Sequence, residues 1–337
     1  MRAMVMAAPG LENLRIEERP DPRPGPGQVL VRLRAASLNF RDVLALRGGY
    51  GSRQKQAGLV PLSDGAGEVL EVGSGVTRFK AGDRVVNTFF PGWLAGPPAE
   101  AFLEEDVGGL HDGVACEMRL FSQEGLLPIP AGMDFLQAAT LPCAAVTAWN
   151  AVRAHGGVGP EHVVLTQGSG GVAIFALQFA KAAGARAIAI SSSDDKLARL
   201  AALGADDGIN YRSDAEWGKT ARKRTQGRGV DLVVETAGAA TLKQSMRAVS
   251  LGGMIAVIGM VGGAVAEVQL PLVAMGSLRL HGIAVGSRRH LQEVLQACAQ
   301  HRIEPVIDRV FPLAELPEAI GHVASGQQFG KVCIEIG

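Results

Sequence analysis

The stretch His162-Val-Val-Leu-Thr-Gln-Gly-Ser-Gly-Gly-Val-Ala173 decides the fold. It opens as a β-prone run, turns through Gly168-x-Gly170-x-x-Ala173, and continues into an apolar helical stretch that reaches about residue 183. Strand, glycine turn and helix in that order are what a dinucleotide-binding βαβ unit needs. The glycines let the backbone close on a pyrophosphate, and the helix start offers free N–H groups and a positive dipole end. A glycine motif alone is weak evidence; its place between a strand and a helix gives it weight. The plainer alternative is a glycine turn that only permits close helix packing. The dinucleotide reading sets Gly168, Ser169, Gly170, Gly171 and Val172 against the pyrophosphate.

Working outward, strands and helices alternate. Further strand-like runs at residues 187–191, 208–211, 230–235, 254–259 and 280–285 give about six strands, and such alternation implies a doubly wound parallel sheet. The strand after the glycine turn ends in Ser191, where readers of NAD usually carry an acid for the ribose hydroxyls. Ser191, Ser192 and Lys196 supply hydroxyls and an amine suited to a 2′-phosphate, and Tyr211 after the next strand can close over it, so NADP(H) is the expected cofactor. Asp194 and Asp195 oppose a phosphate, and at a helix start they read better as N-terminal capping groups.

Residues 1–118 have a different texture, short β-rich runs broken by Gly and Pro, as in the alternating Gly27-Gln-Val-Leu-Val-Arg-Leu-Arg34. The tail from His290 returns to mixed structure, which suggests that the parallel-sheet unit is inserted into the first domain. Lys plus Arg and Asp plus Glu both number 33, so no global field attracts nucleic acid or an anionic membrane. The basic cluster 219–228 reads as a solvated helix face. The N-terminus lacks the apolar run of an export signal, and the most apolar stretch, 163–190, is interrupted by Gln167, Gln178, Lys181 and Arg186, so no membrane span is expected. Cys116, Cys143, Cys298 and Cys333 lie far apart, without metal-knuckle or disulfide-framework spacing, which fits a cytoplasmic protein.

With these features in place the chain resembles the medium-chain dehydrogenase/reductases along nearly its whole length. The carriers are Ser37-Leu-Asn-Phe-Arg-Asp42, Pro61-Leu-Ser-Asp-Gly-Ala-Gly-Glu-Val69, Gly82-Asp-Arg-Val85, Thr140-Leu-Pro-Cys-Ala-Ala-Val-Thr-Ala148, the glycine turn and Gly330-Lys-Val332. The resemblance implies a GroES-like β-rich catalytic domain from 1–125 and 286–337, an inserted Rossmann domain at 126–285, and a homodimer whose Rossmann sheets join edge to edge. Zinc-dependent members hold catalytic zinc at positions matched here by Asn39, Ser63, Asp64 and Cys143, a poor set for a metal that draws on Cys and His. The structural-zinc lobe would fall between Asn87 and Met118, where only Cys116 occurs. The similarity is therefore to the zinc-independent, quinone oxidoreductase-like branch, which reduces quinones, enones and related activated double bonds with NADPH.

The same resemblance sets Asn39 by the nicotinamide and substrate, with Arg41 and Asp42 beside it and Tyr50 as a hydrogen-bond donor or proton source. Thr147 meets the nicotinamide amide, and Cys143 becomes a wall residue. Gly259 and Met260 line the cofactor, Gly286, Ser287 and Arg288 lie near the nicotinamide, and Gly330 and Lys331 near the phosphates. Plainer roles stand beside these: Asn39 holds a turn, Asp42 pairs with Arg41 or caps a helix, and Arg288 is a surface residue. The aromatic segment 89–94 either rims the substrate site or plugs the core. Two rival functions remain at this point, an alcohol or aldehyde oxidoreductase of the same family and a non-catalytic NADP-binding protein.

Overall fold

The computed structural model describes residues 1–55 and 57–337. In chain order the strands are β1 (Arg2–Met6), β2 (Leu14–Glu18), β3 (Gln28–Ser37), β4 (Asp64–Val72), β5 (Arg84–Asn87), β6 (Met118–Ser122) and β7 (Leu126–Pro128). There follow β8 (Val163–Gln167), β9 (Arg186–Ser191), β10 (Asp207–Asn210), β11 (Val230–Glu235), β12 (Val249–Val257) and β13 (Arg279–Gly282), and then β14 (Ile307–Pro312) and β15 (Lys331–Glu335). The chain divides into two compact units, one of Met1–Val146 with Gly286–Gly337 and one of Thr147–Val285.

The first unit is built on a seven-stranded sheet in the order β14-β15-β3-β4-β5-β7, with β6 also pairing β3, and a separate β1-β2 pair. The alternation read in β3 puts Val29, Val31 and Leu33 in the core and leaves Arg32 exposed. Their neighbours there include Met4, Met6, Leu59, Leu62, Val114 and Ile334. Fully burying a side chain of this size contributes roughly 1.5–3 kcal/mol, so this cluster is what holds the two chain ends together. The C-terminal strand β15 runs antiparallel to β3, Ile334 opposite Ala36, so the tail does complete the N-terminal unit.

The first division falls at Val146/Thr147, some twenty residues beyond the 125/126 expected from the sequence. The helix Phe135–Ala139 packs on β3, β4 and β15 and so belongs with the first unit. After it, Leu141–Ala145 winds as a π-helical turn. Pro142 has no N–H for the i→i−4 ladder, which gives the local cause of the widening.

The second unit is a six-stranded sheet in the order β10-β9-β8-β11-β12-β13, with every pairing parallel. This is a doubly wound Rossmann sheet whose order reverses between β8 and β11, and ligands of such sheets bind at that reversal, beyond the carboxyl ends of the strands. The helix Gly171–Ala182 buries Ile174, Phe175, Leu177 and Phe179, which anchors the glycine turn to the sheet behind it. Among the described residues no helix is long and apolar enough to cross a membrane.

Candidate functional site

In the second unit the expected cofactor residues gather at the carboxyl ends of the strands. Gly168 leaves β8 with φ +81°, a conformation that favours glycine, and its N–H donates to Ile190 O at 2.7 Å, which ties the turn to the end of β9. Gly170 is the N-cap of the twelve-residue helix Gly171–Ala182, and a Cβ at either Gly168 or Gly170 would meet nothing within 4 Å. Ser169, Gly171 and Val172 complete that turn and the helix start. The arrangement leaves open space in front of unpaired helix N–H groups, the geometry that suits a diphosphate.

Ser191 is buried at the end of β9, and its carbonyl accepts from Tyr211 N at 3.1 Å, so Ser191, Ser192 and Tyr211 lie together. Ser193 caps the helix Asp194–Ala202, its Oγ accepting from Lys196 N. Gly259 follows β12, where a Cβ would lie 1.8 Å from Thr236 O, so a close backbone approach requires glycine there. Met260, next to it, is exposed, and Thr147 is buried in the run Val146–Trp149.

Sequence reasoning missed the residue that organises this edge. Glu235, fully buried at the end of β11, accepts from Gln167 Nε2 (2.8 Å), Ser245 Oγ (2.5 Å), Thr241 Oγ1 (2.6 Å), Gly238 N (2.9 Å) and Ala237 N (3.0 Å). Gln167 is the last residue before the glycine turn, so this carboxylate links both sides of the sheet reversal. The available signal was an acid closing the apolar run Val230-Asp-Leu-Val-Val-Glu235 at the carboxyl end of a parallel strand.

In the first unit Asn39, Arg41, Asp42 and Tyr50 converge. Asn39 is the N-cap of the helix Phe40–Leu46, and Asp42 Oδ2 accepts from Asn39 N at 2.7 Å, a reciprocal cap that fixes the helix start. Arg41 pairs chiefly with Asp106, at 2.6 Å, and lies only 3.8 Å from Asp42. It also donates to the carbonyls of Val107 and Gly108. Burial works against its charge, but Asp42 and Asp106 outweigh that and raise its pKa. The guanidinium stacks over the rings of Phe89 and Tyr50, 4.9 and 5.6 Å from their centroids. Burial raises the Tyr50 phenol, against the pull of Arg41, so this hydroxyl stays protonated and able to donate.

The four positions matched to zinc ligands are also together. Asn39 Nδ2 donates to Asp64 Oδ2 at 3.0 Å, Ser63 Oγ to Asp64 Oδ1 at 2.6 Å, and Cys143 N to Asp64 Oδ2 at 3.1 Å. These residues do not fit zinc. The carboxylate is taken up by three donors, burial and then Asp64 push the Cys143 thiol far up and keep it protonated, and the remaining members are an amide and a hydroxyl.

Two expected cofactor contacts turn elsewhere. The Lys331 ammonium is buried and donates to Leu38 O at 2.6 Å and Asn39 Oδ1 at 2.5 Å, so the phosphates expected for it are replaced by acceptors inside the unit. Gly330 before it has φ +98°, and a Cβ there would lie 2.2 Å from Val306 O, which gives this glycine a packing role. Arg288 pairs with Glu124, which also holds Arg78 at 2.6 Å, and its N–H donates to Trp93 O. Ser287, next to Gly286, caps the helix Arg288–His301. In the segment 89–94, Phe89, Phe90 and Trp93 are all buried, as expected of core plugs.

Comparison with known proteins agrees with this arrangement. The family described as "Alcohol dehydrogenase GroES-like domain" matches residues 25–131, and that described as "Zinc-binding dehydrogenase" matches 171–300. A zinc-type alcohol dehydrogenase-like protein of Schizosaccharomyces pombe is 39% identical, over 97% of this chain and 96% of its own length. A quinone oxidoreductase of Pseudomonas aeruginosa is 33% identical over 99% of this chain and 98% of its own. A solved structure described as NAD-dependent alcohol dehydrogenase superposes with a TM-score of 0.92 at 35% identity, covering 100% of both chains. A GroES-like unit joined to a Rossmann unit, with end-to-end similarity to these enzymes, makes the chain an oxidoreductase that belongs to the medium-chain dehydrogenase/reductase family.

Proposed function

We propose that the protein is an NADPH-dependent, zinc-independent reductase of small activated carbonyls and alkenes: quinones, enones or enals. The observation that carries this reading is the donor set around Asp64, where an amide, a hydroxyl, a protonated thiol and a saturated carboxylate stand at the positions matched to zinc ligands. Without a Lewis acid, an enzyme must stabilise negative charge on the substrate oxygen with hydrogen-bond donors, and conjugated acceptors spread that charge and so ask least of them. NADPH, when bound, supplies the hydride.

The chain's own residues supply the rest. The Gly168–Val172 turn binds the diphosphate, Ser191, Ser192, Lys196 and Tyr211 take the 2′-phosphate, and Gly259, Met260 and Thr147 line the cofactor. Asn39, Arg41 and Asp42 form the substrate wall, and Tyr50, protonated and beside the Arg41 guanidinium, donates a hydrogen bond to the substrate oxygen. Ser191 in place of an acid at the end of β9 supports NADPH over NADH. The free thiols support a reducing, cytoplasmic setting. The edge strand β13 and the exposed apolar side chains of 260–275 support a homodimer formed through the second unit.

The test is oxidation of NADPH and NADH by the purified protein against a quinone, an enone and a simple aldehyde, before and after a metal chelator. NADPH-selective turnover of the conjugated acceptors, unchanged by the chelator, is expected. Preference for the aldehyde, or loss of activity with zinc released into the chelate, overturns the reading.

A further inference from the structure

The side chains at the matched zinc positions have a cation beside them. Lys331, on β15, is 3% exposed and donates to Leu38 O and to Asn39 Oδ1, while Asn39 Nδ2 donates to Asp64. An ammonium has only protons to offer and an ionised carboxylate only lone pairs. The Asn39 amide between them therefore has one permitted orientation, carbonyl toward Lys331 and amine toward Asp64. A flip would set amine against ammonium and carbonyl against carboxylate and lose two charge-assisted hydrogen bonds. Asp64 cannot turn to follow, because Ser63 Oγ and Cys143 N hold its oxygens. Burial raises the Asp64 carboxyl, with Lys331 first among the groups that pull it back, and the amide between the two belongs to the residue assigned above to the substrate wall.

We propose that Lys331 is a positioning residue for Asn39: its buried ammonium serves where other family members use a metal cation and, with Asp64, locks the amide that faces the substrate. This rests on the reading above for the role of Asn39. No bond is made or broken by Lys331, and no contact with the cofactor is required of it.

The experiment is a double-mutant cycle of Asn39→Ala, Lys331→Met and the two combined. It reads kcat and KM for a quinone, the NADPH dissociation constant by fluorescence, and the urea unfolding midpoint. Lys331→Met is expected to lower kcat about tenfold or more while moving the NADPH constant less than about threefold, and to add nothing once Asn39→Ala is present. Additive losses in kcat overturn the proposal. So does an NADPH constant raised about tenfold by Lys331→Met alone, because that places the ammonium on the phosphates. Should Lys331→Met fail to fold, Asp64→Asn/Lys331→Met, which removes both buried charges, takes its place with the same expected non-additivity. A wild-type protein that reduces no acceptor defeats the functional reading alone. The coupling is then read from the unfolding midpoints, where additivity of Asn39→Ala and Lys331→Met overturns it.

Discussion

Asp194 Oδ1 accepts a hydrogen bond from Asn210 Nδ2 at 2.8 Å, tying the first turn of the helix after β9 to the end of β10. That carboxylate keeps its negative charge in this bond, and Lys196 is the cation proposed above for the 2′-phosphate. Lys196→Ala is expected to raise the NADPH dissociation constant at least about tenfold, the worth of one charge-assisted contact, and the NADH constant by less than about threefold. Titrating both nucleotides against the variant checks this, and equal losses would reject the 2′-phosphate assignment.

Gly168 and Gly259 respond to a methyl group in different ways. At Gly168 the added carbon has open space, so Gly168→Ala meets only the strain of a positive φ, roughly 1 kcal/mol. At Gly259 it would strike the Thr236 carbonyl, so the β12 end must shift away from the β11 end. Gly259→Ala should therefore lower the melting temperature more than Gly168→Ala does. A smaller or equal drop would show that the two strand ends can move apart freely.

The Asp42 carboxyl is pushed up to about 6 by burial, with Arg41 and the Asn39 N–H pulling the other way, and its Oδ1 has no hydrogen-bond partner. Because the folded pKa lies above the unfolded value near 3.8, the folded state holds the proton more tightly. The ionised group therefore opposes folding above pH 6, and the penalty fades as pH falls toward 4. A shift of about 2 pH units corresponds to about 3 kcal/mol. Asp42→Asn, which keeps an acceptor for Asn39 N, is expected to raise the urea midpoint at pH 8 and to lose that advantage by pH 4. A gain that persists unchanged at pH 4 would contradict the assignment.

All four thiols are held protonated by burial, with Cys116 and Cys298 pushed up to about 12 and Cys333 to about 11. Since the thiolate is the reactive form, the folded protein should react with a disulfide reagent at pH 8 far more slowly than the same protein in guanidinium, which should show four equivalents. A fast equivalent in the folded state, mapped to Cys143, would instead mark an activated nucleophile.

Val265 and Met275 are 89% and 85% exposed, and β13 is an edge strand of the same unit. Met275→Glu is expected to shift sedimentation from dimer toward monomer, since a buried unpaired carboxylate opposes association. A wild-type monomer at micromolar concentration would remove the dimer from the proposed function.

The strands of the second unit and the glycine turn were legible in the sequence because periodicity and glycine placement are local signals. The six strands of the second unit fall within a few residues of the runs read from alternation, β12 starting five residues earlier than expected. The partners of Lys331 and Arg288 were not legible. Both are long cations whose targets, Asn39 and Glu124, lie 292 and 164 residues away along the chain. Only tertiary packing could decide between a phosphate and those acceptors. The first domain boundary was missed for a related reason: the helix Phe135–Ala139 looks like the opening of the Rossmann pattern, and only its packing on β3 and β4 assigns it to the other unit.

The placement of β15 between β14 and β3 also orders events during synthesis. While the ribosome makes the central sheet, β6 already pairs residues 28–32 of β3, but the edge at 35–37 stays open until β15 is made and takes its place there. Lys331 arrives with it, so Asp64 sits in the nascent sheet without that neighbouring cation until β15 is made.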